Sequence, residues 1–181
     1  AALIAIYAPL PAGVLPVVAI LGGALATAVM MLIPAILKAR LGVSEMVNSL
    51  MLNYIVQYMV LFLMHGYLAD RSKGQMQTYT FQSQAAIPPL VDNGSKLSWG
   101  FVIAIIMTIL VWYFMYRTRY GYSIRMIGIN QDFSKYSGIN VFAIIIISQV
   151  IGGFLAGMGG GIEQLGRYNA YDWMALPGYG W

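Results

Sequence analysis

Polar residues in this chain are collected between long apolar runs instead of alternating with apolar ones. A helix needs roughly 20 mainly apolar residues to cross the hydrocarbon of a bilayer. Four segments have that length and character: Val14 to Leu37, Met46 to Met64, Trp99 to Tyr116, and Val141 to about Ile162. The second is the most polar of them and the fourth is rich in glycine. Ala1 to Leu10 reads as the tail of a further span, followed by a turn marked by Pro9, Pro11, Gly13 and Pro16. The pattern predicts an all-α, polytopic transmembrane helical bundle, forming a single membrane domain over residues 1–181.

The connections differ in kind. Lys38 to Ser44 is short and basic, and residues 117–140 carry Arg117, Arg119, Arg125 and Lys135 against Asp132 alone. The positive-inside rule assigns both to the cytoplasm, which four alternating spans satisfy. Residues 66–98 then form an extracellular loop, too long for a simple turn, and Gly166–Trp181 lies on that side as well. Trp99, Trp112, Tyr113 and Tyr116 mark the ends of the third span as an interfacial aromatic belt does. Ala1 opens inside an apolar stretch and Trp181 closes a Gly/aromatic segment, so the chain reads as incomplete at both ends, with no signal peptide ahead of Ala1.

Composition sharpens this picture. Hydrophobic residues make up 60% of the chain and charged residues 9%; a soluble domain carries about a quarter charged residues. The mean hydropathy is +0.72, more apolar surface than a soluble core of this size can hide. The net charge of +4 is explained by the loops and is no sign of nucleic-acid binding. With no cysteine and one histidine, His65, a Cys/His zinc site is excluded, and no metal site is expected. His65, at the outer end of the second span, reads as an interfacial residue. No phosphate loop, Ser/His/Asp set or HExxH motif is present, so the chain is expected to be no enzyme and to bind no cofactor itself.

Candidate chemistry sits in three places. Glu45, Ser49, Asn53 and Gln57 recur at four-residue steps and share one face of the second span. Unpaired polar groups in lipid cost on the order of 2–3 kcal/mol each, so this stripe must face other helices or a watery path. It either lines a solute route, with Gln149 of the fourth span, or supplies hydrogen bonds between helices. In the fourth span Gly153, Gly157 and Gly161 form one small-residue row, with Gly152, Ala156 and Gly160 beside it; the first meaning of such rows is close helix packing. Gln149, Glu163 and Gln164 bracket this zone. The third place is the basic loop. Asn130 suits an N-cap, Asp132 suits the first turn, and Gly138 suits a left-handed stop, which predicts a helix of about two turns between them. Phe133 and Tyr136 share one side of it and need something to bury them: the lipid headgroup zone, the protein's own loops or a partner's groove.

Leu37-Lys38-Ala39-Arg40-Leu41-Gly42-Val43-Ser44-Glu45, with Ser49-Leu50-Met51-Leu52-Asn53-Tyr54 after it, resembles permease subunits of bacterial ABC importers. So do Arg117-Thr118-Arg119-Tyr120-Gly121, Gly128-Ile129-Asn130, Ser137-Gly138-Ile139-Asn140-Val141 and residues 152–160. The resemblance runs from about Leu21 onward and is greatest to the nucleoside and simple-sugar branch, related to ribose and branched-chain amino-acid permeases. At Gln131 to Tyr136 the chain departs from the small residues usual there. The resemblance implies a pathway formed with a second permease subunit, identical or homologous. It implies cytoplasmic ATPase subunits that use ATP, an extracellular solute-binding lipoprotein, and a place in the bacterial plasma (inner) membrane. It makes Asn130 to Gly138 the coupling helix, with Phe133 and Tyr136 seated in the ATPase cleft and Arg125, Gly128 and Asp132 nearby. The competing expectation is an ion- or proton-coupled secondary transporter, which favours central charges and broken helices; the spans hold almost no central charge.

Overall fold

The computed structural model describes residues 1–8, 11, 13–63, 65–66, 78–81, 86–87, 98–168 and 170. Every regular element among them is helical: α1 (Ala2–Tyr7), α2 (Val14–Met30), α3 (Leu32–Leu41), α4 (Glu45–Leu63), α5 (Gly100–Arg117), α6 (Arg119–Ile129), α7 (Gln131–Tyr136) and α8 (Val141–Arg167). Val14–Leu41, Glu45–Leu63, Gly100–Arg117 and Val141–Arg167 are each long and apolar enough to cross a membrane. The chain is thus a polytopic helical membrane protein. Most of the expected extracellular loop 66–98, and the segment after Tyr168 apart from Ala170, lie outside the described residues.

The first span differs from the expected single helix over 14–37. It is interrupted at one residue, Met31, whose backbone stays right-handed helical (φ −71°, ψ −10°), and it runs on to Leu41. Pro34 is the cause: it has no N–H to offer the carbonyl of Met30, and its ring crowds that carbonyl. The stop comes at Gly42, whose φ of 65° is left-handed and whose N–H bonds the Lys38 carbonyl at 3.0 Å. Lys38 and Arg40 are therefore on the last turn of α3, where cations suit the helix dipole, and the basic loop shrinks to residues 42–44. The fourth span also runs past Ile162 to Arg167, taking Glu163 and Gln164 into the helix. An Arg167–Glu163 pair at 3.3 Å ties its last turns.

α2 and α8 form the most extensive interface, antiparallel, and both small-residue composition and geometry explain it. A Cβ on Gly161 would lie 3.3 Å from Ile20 Cα, and one on Gly157 2.7 Å from Ala24 Cα. One on Gly153 would lie 2.6 Å from Met31 Cγ. Gly153 thus packs on the break itself. Around the far end of this pair lies the main apolar cluster, Ala5, Leu15, Ala19, Ile20, Ile87 and Leu165. Ile87 reaches it from the long loop and donates its N–H to the Leu165 carbonyl at 3.1 Å.

α5 runs beside α8 in the opposite direction; a methyl on Gly100 would run into Ile162. The corner after α5 is sharp. Thr118 caps α6, accepting from the Gly121 N–H at 3.1 Å while its hydroxyl donates to the Phe114 carbonyl at 2.7 Å. Any side chain at Gly121 would strike the backbone of Phe114 and Met115. The Arg-Thr-Arg-Tyr-Gly run is therefore a corner-forming signature as well as a basic one. These directions put both basic connections at one end of the bundle, where Arg40 stands over the Phe142 ring at 5.9 Å.

Candidate functional site

The basic end carries a short capped helix. Asn130 Oδ1 accepts from the N–H groups of Asp132 and Phe133, both at 3.0 Å, which fixes the start of α7. At the other end, Gly138 takes a φ of 79°. Its N–H bonds the Lys135 carbonyl and the Ile139 N–H bonds the Ser134 carbonyl, both at 3.0 Å. These two bonds are a Schellman stop. A six-residue helix has little stability alone, so tertiary contact must hold it. Ser134 provides that contact. It is fully buried and donates its hydroxyl to the Asn130 carbonyl at 2.8 Å. Sequence reasoning passed over Ser134; its signal is a small residue among five larger ones.

The remaining α7 side chains point outward. Phe133 is 56% exposed and Tyr136 92% exposed, and Ile129 just before the cap is 82% exposed. These three make an apolar knob with no cover among the described residues. Asp132 pairs with Lys135 at 3.4 Å, a surface pair worth at most about 1 kcal/mol. Arg125 does not join the knob: its guanidinium lies over the Tyr116 ring at 4.8 Å, joining α6 to the end of α5. Gly128 is exposed, with open space where a Cβ would be.

Beneath the knob, Ile127 of α6 packs with Val141 and Ile144 of α8, flanked by Ile124, Ile139, Ile145 and Ile147. Asn140 caps α8 by accepting from the Ala143 N–H at 3.1 Å. α6 is thus fastened to the foot of α8, with α7 held between them. The expected short helix is present, and a longer helix, α6, precedes it where the sequence reading left a loop.

α4 is arranged differently from the other spans. None of its residues is buried, and its main contact is with α3 across the Gly42 turn, where Lys38 and Glu45 stand 3.9 Å apart. Within the described residues no other helix covers the polar stripe, for which the sequence predicts either other helices or a watery path. Ser49 and Asn53 are exposed and Gln57 half-buried. Ser49 donates to its own helix, at the Met46 carbonyl, 3.0 Å away. Gln149 stays apart from this stripe; it is half-buried on α8, one turn below Gly153, in the row that faces α2 and α3.

One feature connects α4 to the rest. At the end away from the basic loops, a cavity of about 440 Å³ opens between α1, α2, α4 and α8. Its walls include Gly23, Thr27, Ala156, Gly160 and Gln164, with Val60 and Leu63 from α4. Asn53 lies seven residues below Val60, so two helical turns place them on the same face of α4, with the cavity at the Val60 end. The second small-residue row, Gly152 and Gly160, has open space beside it, in contrast to the packed row of Gly153 and Gly157.

Comparison with known proteins agrees with this architecture. The family model described as branched-chain amino acid transport system / permease component matches residues 1–175. A nucleoside ABC transporter permease protein of Lactococcus lactis is 34% identical over 160 residues, 84% of this chain and 43% of that protein. A guanosine ABC transporter permease protein of Bacillus subtilis is 31% identical over 141 residues, 76% of this chain and 40% of that protein. A glucose ABC transporter permease protein of Haloferax volcanii is 26% identical over 186 residues, 98% of this chain and 49% of that protein. The chain spans less than half the length of each. No solved structure matches it. With nearly its whole length matched, helices that cross a membrane and a capped helix at the foot of α8, the chain belongs to the branched-chain amino acid transport system / permease component family.

Proposed function

We propose that this chain is part of the membrane-spanning permease of an ATP-driven importer in the bacterial plasma membrane. It forms, with a second permease subunit, the path for a small polar solute, a nucleoside or a simple sugar. Cytoplasmic ATPase subunits hydrolyse the ATP, an extracellular binding lipoprotein delivers the solute, and this chain binds no cofactor. The observation that carries the reading is α7: a helix too short to stand alone, capped at both ends, pinned through buried Ser134, and presenting Phe133 and Tyr136 to the outside. Such a knob suits a groove in a partner at the basic, cytoplasmic end. The names of the nucleoside, guanosine and glucose permeases support the solute class.

The packing supplies a route for the stroke. ATP-driven closure of the ATPases shifts α7 and with it α6, which is packed on the foot of α8 through Ile127, Val141 and Ile144. α8 bears on α2 and α3 through Gly153 and Gly157, and Arg40 over Phe142 ties α3 to the same foot. ATP then biases two access states of the path, a population shift and not a new chemical step.

Phe133→Ala combined with Tyr136→Ala, in the full-length permease assembled with its ATPases, tests this. Solute-stimulated ATP hydrolysis should be lost while membrane insertion is kept, because neither side chain packs inside the chain. Full stimulation in that double variant would remove the assignment. Uptake that survives ATP depletion but collapses with an ionophore would favour an ion- or proton-coupled secondary transporter instead.

A further inference from the structure

α6 is gripped on two sides. Ile127 packs with Val141 and Ile144 of α8. Arg125, two residues earlier and so on the opposite side of the helix, sets its guanidinium over the Tyr116 ring of α5 at 4.8 Å. Tyr116 leans in turn on Trp112, one turn back along α5, with ring centroids 5.9 Å apart. Among the described residues no carboxylate pairs with Arg125. Its cation is given to the aromatic pair.

The joint between α5 and α6 is closed as well. A single residue, Thr118, separates the two helices, with an extended backbone (φ −111°, ψ 157°). Such an element-terminal residue is where a hinge would bend. Here the Thr118 hydroxyl bonds both helices, donating to the Phe114 carbonyl at 2.7 Å and accepting from the Gly121 N–H at 3.1 Å. Gly121 lies so close to α5 that a Cβ would stand 2.6 Å from Met115 Cα. Gly121 and Arg125 are four residues apart and share one face of α6. Two contacts one turn apart fix the angle between the helices, whereas one alone would leave rotation about it. Along its middle, α5 stands off from α2 and α8 across an apolar gap of about 340 Å³, lined by Met107, Leu110, Phe114, Val150 and Phe154. Its larger interface is with α6.

We propose that α6 is a lever with two arms, passing a displacement of α7 to α8 through Ile127 and to α5 through Thr118, Gly121 and Arg125, with Arg125 the positioning residue that makes α5 follow. The proposal rests on the importer reading above and adds α5 to the spans that ATP moves. α7 can drive α6 because Asn130 belongs to both. Its N–H bonds the Met126 carbonyl at 3.1 Å, and its Oδ1 caps α7. The contact with Tyr116 needs a cation and a ring face; the phenol is dispensable.

The test uses the full-length permease assembled with its ATPases in a lipid bilayer, nucleotide-free and trapped with ATP and vanadate. Distances are read between spin labels on introduced cysteines. Ile109→Cys with Tyr122→Cys spans the α5–α6 corner, and Ile109→Cys with Val17→Cys reports α5 against α2; all three positions are exposed in this chain. In the parent protein the corner distance should be the same in both states while the α5–α2 distance changes. Arg125→Ala and Tyr116→Leu should each raise the share of other corner distances in the trapped state by about two- to fivefold, the scale of an exposed cation–π contact. The α5–α2 distance should spread with it. The double variant should do no more than either single one, because the two side chains act as a pair, and Tyr116→Phe should behave as the parent. A parent corner distance that changes on trapping, or an α5–α2 distance that does not, overturns the proposal and leaves the importer reading in place. So do single variants that lower the thermal midpoint but keep both distances as in the parent, the mark of a contact that only stabilises. Effects that add in the double variant set Arg125 against some other group and overturn it too. Failure of ATP and vanadate to trap any complex removes the importer reading itself.

Discussion

Gly157 governs how closely α2 and α8 approach. A side chain there would meet the Thr27 hydroxyl and stand 2.7 Å from Ala24 Cα, whereas Gly160, three residues on, has open space. The same residue type therefore has two meanings on one helix. Gly157→Leu should overpack the interface, costing roughly 1–3 kcal/mol. It should lower the thermal midpoint of the detergent-solubilised permease. Gly160→Ala should leave that midpoint unchanged within error. An equal effect of both would mean that the open row is covered in the assembled protein. The sequence shows both rows but cannot rank them, because the rank depends on which way α8 is turned.

Among the elements, the divided first span and the capped α7 are the informative pair. α7 is local: Asn130, Asp132 and Gly138 specify its ends through bonds to neighbours within a few residues, so its limits follow from sequence. The break at Met31 is also local in cause, since Pro34 lacks the N–H that Met30 would use. Its consequence is not local, because Gly153 of α8 packs on it. Pro34→Ala restores that donor and removes a ring that costs a helix interior about 3 kcal/mol. The expected outcome is a more stable permease with slower uptake, measured as a raised thermal midpoint and reduced solute accumulation. Unchanged uptake would make the break a packing feature alone. α4 shows the opposite relation. Its polar stripe is plain in sequence, yet the described residues give Asn53 and Gln57 no polar partner, so their meaning lies in what surrounds the chain.

At the scale of the molecule, both basic connections lie at one end and the cavity at the other, with antiparallel spans between them. Cysteine at exposed Ser137, just after α7, should label with an impermeant reagent only from the cytoplasmic side. Cysteine at exposed Thr80 should label from outside. Labelling of both from one side would contradict alternating spans. Ser134 is unsuitable for this purpose because it is buried.

The all-α membrane fold, the four candidate spans, the clustering of basic charge and the caps of α7 were determined by sequence alone. They rest on apolar run length and on bonds between near neighbours, which the order of residues contains. Other features were decided only by tertiary structure. Gly153, Gly157 and Gly161 meet α2 while Gly160 meets open space. Arg125 turns to Tyr116 and away from the knob. Thr118 and Gly121 form the corner that sets α6 against α8. The glycine contacts depend on the rotation and approach of helices distant in sequence, fixed by packing many small contacts at once, and the other two on how α6 folds back against the end of α5. α4 belongs to both accounts: sequence places its polar stripe on one helix face, and only the packing of α1, α2 and α8 sets Val60 and Leu63 at its far end against a cavity.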